Sequence, residues 1–134
     1  MNEVLGMTIS KSMDGNYLTE ITNGAFTFLA DTADGGHGVT PHALIESALA
    51  ACMNITTRMV LDRMSLAYDA VEVQVALDRP TKEDTVIQYA IDIKGDIPDE
   101  IKKQITDKVF NCPVRKTLTS HIQVKQFEIS PQGE

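Results

Sequence analysis

The sequence predicts an α+β fold within a single domain over residues 1–134. Three observations carry that expectation. An apolar pattern of helical period runs from Thr40 to about Ala67. Two stretches, Val71–Leu77 and Ile87–Ile93, alternate apolar and polar residues with period two. A second helical pattern through Ile101, Ile105 and Val109 is broken at Asn111-Cys112-Pro113. The order is N-terminal antiparallel strands, long central helix, two strands, broken helix and a last strand.

The elements follow from local chemistry. Val4–Ser10, Tyr17–Thr22 and Ala25–Ala30 have β character, and Asp14-Gly15-Asn16 and Asn23-Gly24 separate them as turns. Asp31–Thr40 holds Gly35, Gly36 and Gly38 and reads as a flexible segment. Thr40 is the expected N-cap of the long helix, with Pro41 at its first position. Leu44, Ala48, Cys52, Ile55 and Met59 form its apolar stripe, widened by Ile45, Leu49, Thr56 and Val60. After the two alternating strands, Asp96-Ile97-Pro98 opens the second helix, and Pro113 restarts it through about Ser120. Ile122–Ile129 completes the pattern as a strand whose phase slips between Val124 and Phe127, the mark of a bulge. Pro131–Glu134 reads as a frayed tail.

Composition narrows the function classes. Hydrophobic residues make up 43% of the chain but aromatics only 5%, so the core is aliphatic and methionine-filled. A net charge of −7, with no basic cluster, argues against a nucleic-acid partner. Glu46, Asn54 and Arg58 interrupt the Ala43–Val60 stretch, which argues against a membrane span. Met1–Gly6 has no signal-peptide pattern, and a cytoplasmic protein is expected. In that compartment two cysteines are reduced or catalytic more often than a structural staple.

Cys52 lies inside the long helix and Cys112 at the helix break. From pattern alone, Cys52 is a core thiol. Cys112 is either a gap-filling boundary residue or a thiol placed near a helix N-terminus, where the dipole favours thiolate. The run from Pro41 into Ala50-Ala51-Cys52, the following Thr56-Thr57-Arg58-Met59, and Cys112-Pro113-Val114-Arg115-Lys116-Thr117-Leu118 together resemble the OsmC/Ohr family of osmotically induced and organic-hydroperoxide-resistance proteins. The resemblance spans essentially the whole chain. It implies an intertwined homodimer with an organic hydroperoxide as substrate and a dithiol as reductant. It also implies Cys52 as the peroxidatic thiol, Cys112 as the resolving thiol, and no metal or organic cofactor.

Two departures stand beside that resemblance. Catalytic members carry a glutamate at one of the two positions after the helix-opening proline, where this chain has His42 and Ala43. They also supply an arginine from the segment before the helix, whereas this chain has none before Arg58. His37, in Gly35-Gly36-His37-Gly38, occupies the comparable loop. Protonated His37 or His42 would favour a Cys52 thiolate if either reached it, and two solvated loop histidines are the equal alternative. Arg115 either polarises Cys112 from one turn away or is solvated. Spacings of His37, His42, Cys52 and Cys112 fit no zinc template. The expected activity is a Cys52/Cys112 thiol peroxidase for oxidative-stress defence. The alternative is a non-catalytic protein of the same fold that binds an apolar small molecule in the dimer cleft.

Overall fold

Two tight turns fold the first described residues into an antiparallel meander of β1 (Ile9–Ser12), β2 (Thr19–Thr22) and β3 (Thr27–Ala30). The computed structural model describes residues 7–129, so Val4–Gly6 of the expected first strand and the Pro131–Glu134 tail lie outside the described residues. At the second turn Gly24 takes a φ of 95°, and Asn23 Oδ1 accepts the Ala25 and Phe26 amides at 3.0 and 2.9 Å. The asparagine closes the turn through its side chain while the glycine supplies the left-handed backbone.

The segment after β3, expected to be flexible, is instead a bonded loop. Asp31 N–H donates to Val39 O and Val39 N–H to Leu29 O, each at 3.0 Å. Inside it the buried Asp31 carboxylate accepts the Thr32 amide at 2.7 Å and the His37 amide at 3.2 Å. Gly35 makes that possible, because a Cβ there would stand 2.3 Å from Asp31 Oδ2.

Helix α1 (Pro41–Arg63) begins as its cap chemistry dictates, with Thr40 Oγ1 accepting the Ala43 amide at 3.4 Å. It stops four residues short of Ala67. Ser65 enters the left-handed region at φ 55°, and Leu66 N–H reaches back to Leu61 O at 3.0 Å. This is a left-handed helix stop without its usual glycine, so no sequence signal marked it.

Strands β4 (Ala70–Asp78) and β5 (Val86–Lys94) form the second sheet, pairing Val71 with Ile93, Val73 with Ile91, Val75 with Tyr89 and Leu77 with Ile87. Those apolar residues occupy one face, as their alternation predicts. Glu46 Oε2 accepts the Leu77 amide at 2.9 Å, and Asn54 Nδ2 donates to Val71 O at 3.0 Å, tying α1 to both ends of β4. By length and composition α1 is apolar enough to cross a membrane; here two of its polar side chains bond to a strand. Helices α2 (Asp99–Val109) and α3 (Pro113–Leu118) complete the layer over α1.

Leu49, Met53, Val60 and Leu61 of α1 meet Ile93, Ile97, Ile105, Val109 and Cys112 in one core. This corrects the expected stripe. Ile55 and Met59 are 46% and 51% exposed, Ala48 is exposed, and Cys52 is half-buried at the margin. The helix is apolar on two faces, so periodicity alone does not choose which one packs. Thr57 is buried within it and donates to Met53 O at 2.7 Å.

The expected strand at Ile122–Ile129 does not form. Residues 121–129 carry no regular structure, and Val124 and Ile129 are 95% and 88% exposed. Alternation reports that a segment suits a half-buried sheet, not that its own chain supplies the neighbour. Phe26, Phe28 and Ile9 of the first sheet are exposed as well.

Candidate functional site

Cys52 and Cys112 come together. Cys52 sits in the fourth turn of α1, one turn beyond Leu49, and packs against the core that contains Cys112. Cys112 is the N-cap of α3, 0% exposed, held by the break that Pro113 imposes after α2. Its thiol lies near enough to the Cys52 side chain to be influenced by it. Both cysteines are free.

The electrostatics of the pair are unequal. Burial pushes the Cys112 thiol above its ordinary range; the Arg115 amide pulls the other way, Cys52 adds to the rise, and the Val114 amide again opposes it. These amides face the sulfur without closing a capping hydrogen bond. Burial and the Cys52 neighbour together keep the proton on Cys112. The outer, half-buried thiol is open to a reagent, and the inner one is shielded.

The other candidates lie elsewhere. His37 is exposed, its Nδ1 3.8 Å from Asp31 Oδ2, and it lines a cavity with Asp14, Tyr17 and Asp31 that neither cysteine lines. His42 is exposed in the first turn of α1. Ten residues separate it from Cys52, a rise of roughly 15 Å along the helix. Arg115 stacks its guanidinium on the Phe110 ring, 3.4 Å from the centroid, so only its backbone amide turns toward Cys112. Arg58 donates to Asn54 Oδ1 at 2.8 Å. Among the described residues no three His, Cys, Asp or Glu side chains gather as a metal site.

Sequence reasoning did not single out Asp31, the one buried carboxylate among the described residues. Its signal was the short Asp31-Thr32 pair before the glycines, a side-chain turn pattern rather than a catalytic one. It also missed a cavity of about 220 Å³ lined by Leu49, Ile87, Tyr89, Arg115 and Leu118, which neither cysteine lines. Those residues come from α1, β5 and α3, and only the fold unites them.

Comparison with known proteins agrees with the fold. The chain is similar to an OsmC-like protein from Mycoplasma pneumoniae, with 19% identity and a TM-score of 0.75 over 87% of this chain and 89% of that one. An organic hydroperoxide resistance protein OsmC from Legionella pneumophila shares 22% identity, with a TM-score of 0.61 over 87% and 92%. The organic hydroperoxide resistance protein OhrB of Bacillus subtilis shares 19%, with a TM-score of 0.62 over 89% and 95%. At these identities the likeness is one of fold. No curated protein matches the chain. The family model described as OsmC-like protein matches residues 33–126, from the Asp31 loop through both cysteines, and on that match the chain belongs to the OsmC-like family.

Proposed function

We propose that the protein is a two-cysteine peroxidase that reduces organic hydroperoxides. The observation that supports this reading is the thiol pair itself: half-buried Cys52 packed against the core that contains fully buried Cys112. Two solved relatives named as organic hydroperoxide resistance proteins support the substrate class.

The chemistry runs in three balanced steps. Cys52 thiolate attacks the outer peroxide oxygen. The O–O bond breaks, and the alkoxide takes up a proton and leaves as an alcohol, with Cys52 now a sulfenic acid. Cys112 sulfur then attacks Cys52 sulfur, releasing water and closing a disulfide. A dithiol reductant opens it by two exchanges, leaving both thiols reduced and the reductant oxidised. Nearness of the two side chains favours the second step over further oxidation of Cys52.

The functional unit is proposed to be an intertwined homodimer in the cytoplasm. Exposed apolar groups on the outer face of α1, on the first sheet and along 122–129 support the dimer, since a second copy would cover them.

A binding role is the second reading, and the surroundings of Cys52 favour it. Among the described residues no ion pair or hydrogen bond joins His37 or His42 to Cys52, and His37 turns to Asp31 instead. On that reading the thiols are slow sensors beside an apolar cleft.

Steady-state reduction of tert-butyl hydroperoxide with a dithiol reductant separates the two. Turnover that Cys52→Ser abolishes, and that in Cys112→Ser gives way to stepwise overoxidation of Cys52, supports the peroxidase. Ligand binding with no turnover supports the second reading.

A further inference from the structure

The β2–β3 turn holds the chain's one asparagine that precedes a glycine, Asn23-Gly24; Asn16, Asn54 and Asn111 precede tyrosine, isoleucine and cysteine. That order matters chemically. A backbone nitrogen attacks the side-chain amide carbon of the residue before it most readily when no side chain crowds the approach. Gly24 stands in the open, since a Cβ built on it would meet nothing within 4 Å. Asn23, Gly24 and Ala25 are all exposed, so water reaches the turn.

Hydrogen bonds hold both reacting groups in other partnerships. Gly24 N–H donates to Thr22 Oγ1 at 3.1 Å. The Thr22 hydroxyl donates its own proton to Phe26 O at 3.2 Å, which leaves its oxygen lone pairs for the glycine. Asn23 Oδ1 accepts the Ala25 and Phe26 amides at 3.0 and 2.9 Å, so the side-chain amide is held over the turn. Asn23 N–H donates to Phe26 O at 3.2 Å and closes the turn. Before the Gly24 nitrogen can lose its proton and attack, its bond to Thr22 must open locally.

We infer that Asn23-Gly24 is a self-modification site, at which the asparagine converts to aspartate and isoaspartate with water as co-reactant, and that the Thr22 hydroxyl holds the reaction off. The Gly24 nitrogen gives its proton to hydroxide and attacks Asn23 Cγ. The N–Cγ bond forms, the Cγ–NH2 bond breaks, and the leaving nitrogen takes a proton from water and departs as ammonia. A cyclic imide remains, and water opens either of its carbonyls. One opening gives aspartate, whose carboxylate can still accept the Ala25 and Phe26 amides. The other gives isoaspartate, whose main chain runs through the β-carbon. That extra backbone atom lengthens the turn that sets the Thr22–Thr27 pair, so its cost falls on the β2–β3 register. The reaction involves neither thiol and stands apart from the peroxidase reading.

Ageing the reduced protein at mildly alkaline pH, followed by peptide mapping and an enzymatic isoaspartate assay, tests this. Isoaspartate is expected at Asn23 ahead of every other asparagine. The guanidinium-unfolded chain is expected to form it about tenfold faster than the folded protein, the scale of one local opening. Thr22→Val keeps the β-branched shape and removes the hydroxyl; it is expected to speed the folded protein about two- to tenfold, the range of one net hydrogen bond. The same variant, once unfolded, is expected to age at the rate of the unaltered unfolded chain, because Thr22 acts only in the fold. Thr22→Ser keeps the hydroxyl and is expected to stay within about twofold of the unaltered protein. Equal rates in the folded and unfolded chain, isoaspartate at Asn16 or Asn54 in place of Asn23, or an unchanged rate in folded Thr22→Val would overturn the inference. Ageing of Thr22→Ser as fast as Thr22→Val would overturn the role of the hydroxyl.

Discussion

Cys112 lies fully buried beneath half-buried Cys52, and burial together with that neighbour raises its pKa. The structure thus pairs an outer thiol that reagents reach with an inner thiol that holds its proton.

That raised pKa predicts a pH-dependent stability. In the folded state Cys112 keeps a proton that it loses near pH 8.5 in the unfolded chain. Above that pH the folded state binds more protons, so stability falls as pH rises toward the folded value. The contribution is fully present below about pH 8.5. Denaturant midpoints of the reduced protein, taken from pH 7 to 10 at fixed protein concentration, are expected to fall more steeply than those of Cys112→Ala. Parallel curves would show that burial does not hold the proton.

Glu46 and Leu77 supply a second test. The Glu46 carboxylate accepts the Leu77 amide at 2.9 Å and so closes one end of the α1–β4 contact. Glu46→Ala leaves that amide without its partner and is expected to cost about 1–3 kcal/mol. Chemical denaturation measures it. A loss below about 0.5 kcal/mol, the range of ordinary surface changes, would mean that the contact contributes little.

Gly35 is expected to resist any side chain. Gly35→Ala would drive its Cβ into the buried Asp31 carboxylate, whose two amide bonds fix it in place. Overpacking of this kind costs about 1–3 kcal/mol. The Thr32 and His37 amides should also lose hydrogen-exchange protection in the variant. Unchanged protection at both would contradict the bonded-loop description.

Met53 tests the corrected helix face. It is fully buried, while Met59, six residues later, is about half exposed. Met53→Ala is expected to lose about 2–5 kcal/mol, and Met59→Ala markedly less in the isolated chain. Comparable losses at high protein concentration, shrinking for Met59→Ala on dilution, would locate Met59 in an interface between copies.

Much of the fold was legible because short-range chemistry specifies it. Thr40-Pro41 opens α1, Asn23-Gly24 closes a hairpin, and Pro113 separates α2 from α3. The two cysteine motifs lie far apart in sequence, and the fold packs Cys52 against the core that contains Cys112. Three features were not legible, each for its own reason. Ser65 ends α1 in a conformation that a serine does not advertise. The packed face of α1 depends on neighbours, since Ile55 and Met59 are as apolar as the residues that are buried. Ile122–Ile129 has a strand's alternation but no partner strand within the described chain. For the site, Arg115 and His37 are basic residues near the right positions. Phe110 and Asp31, which take up those side chains, are distant enough in role that spacing gave no warning.

The central claim is that Cys52 and Cys112 act as one redox unit. The most direct measurement is thiol titration with non-reducing intact-mass analysis after one equivalent of an alkyl hydroperoxide. The account predicts that both thiols disappear together, with an intramolecular loss of two hydrogens and no added oxygen. Persistence of both thiols, or oxygen accumulating on Cys52 while Cys112 stays free, would contradict it.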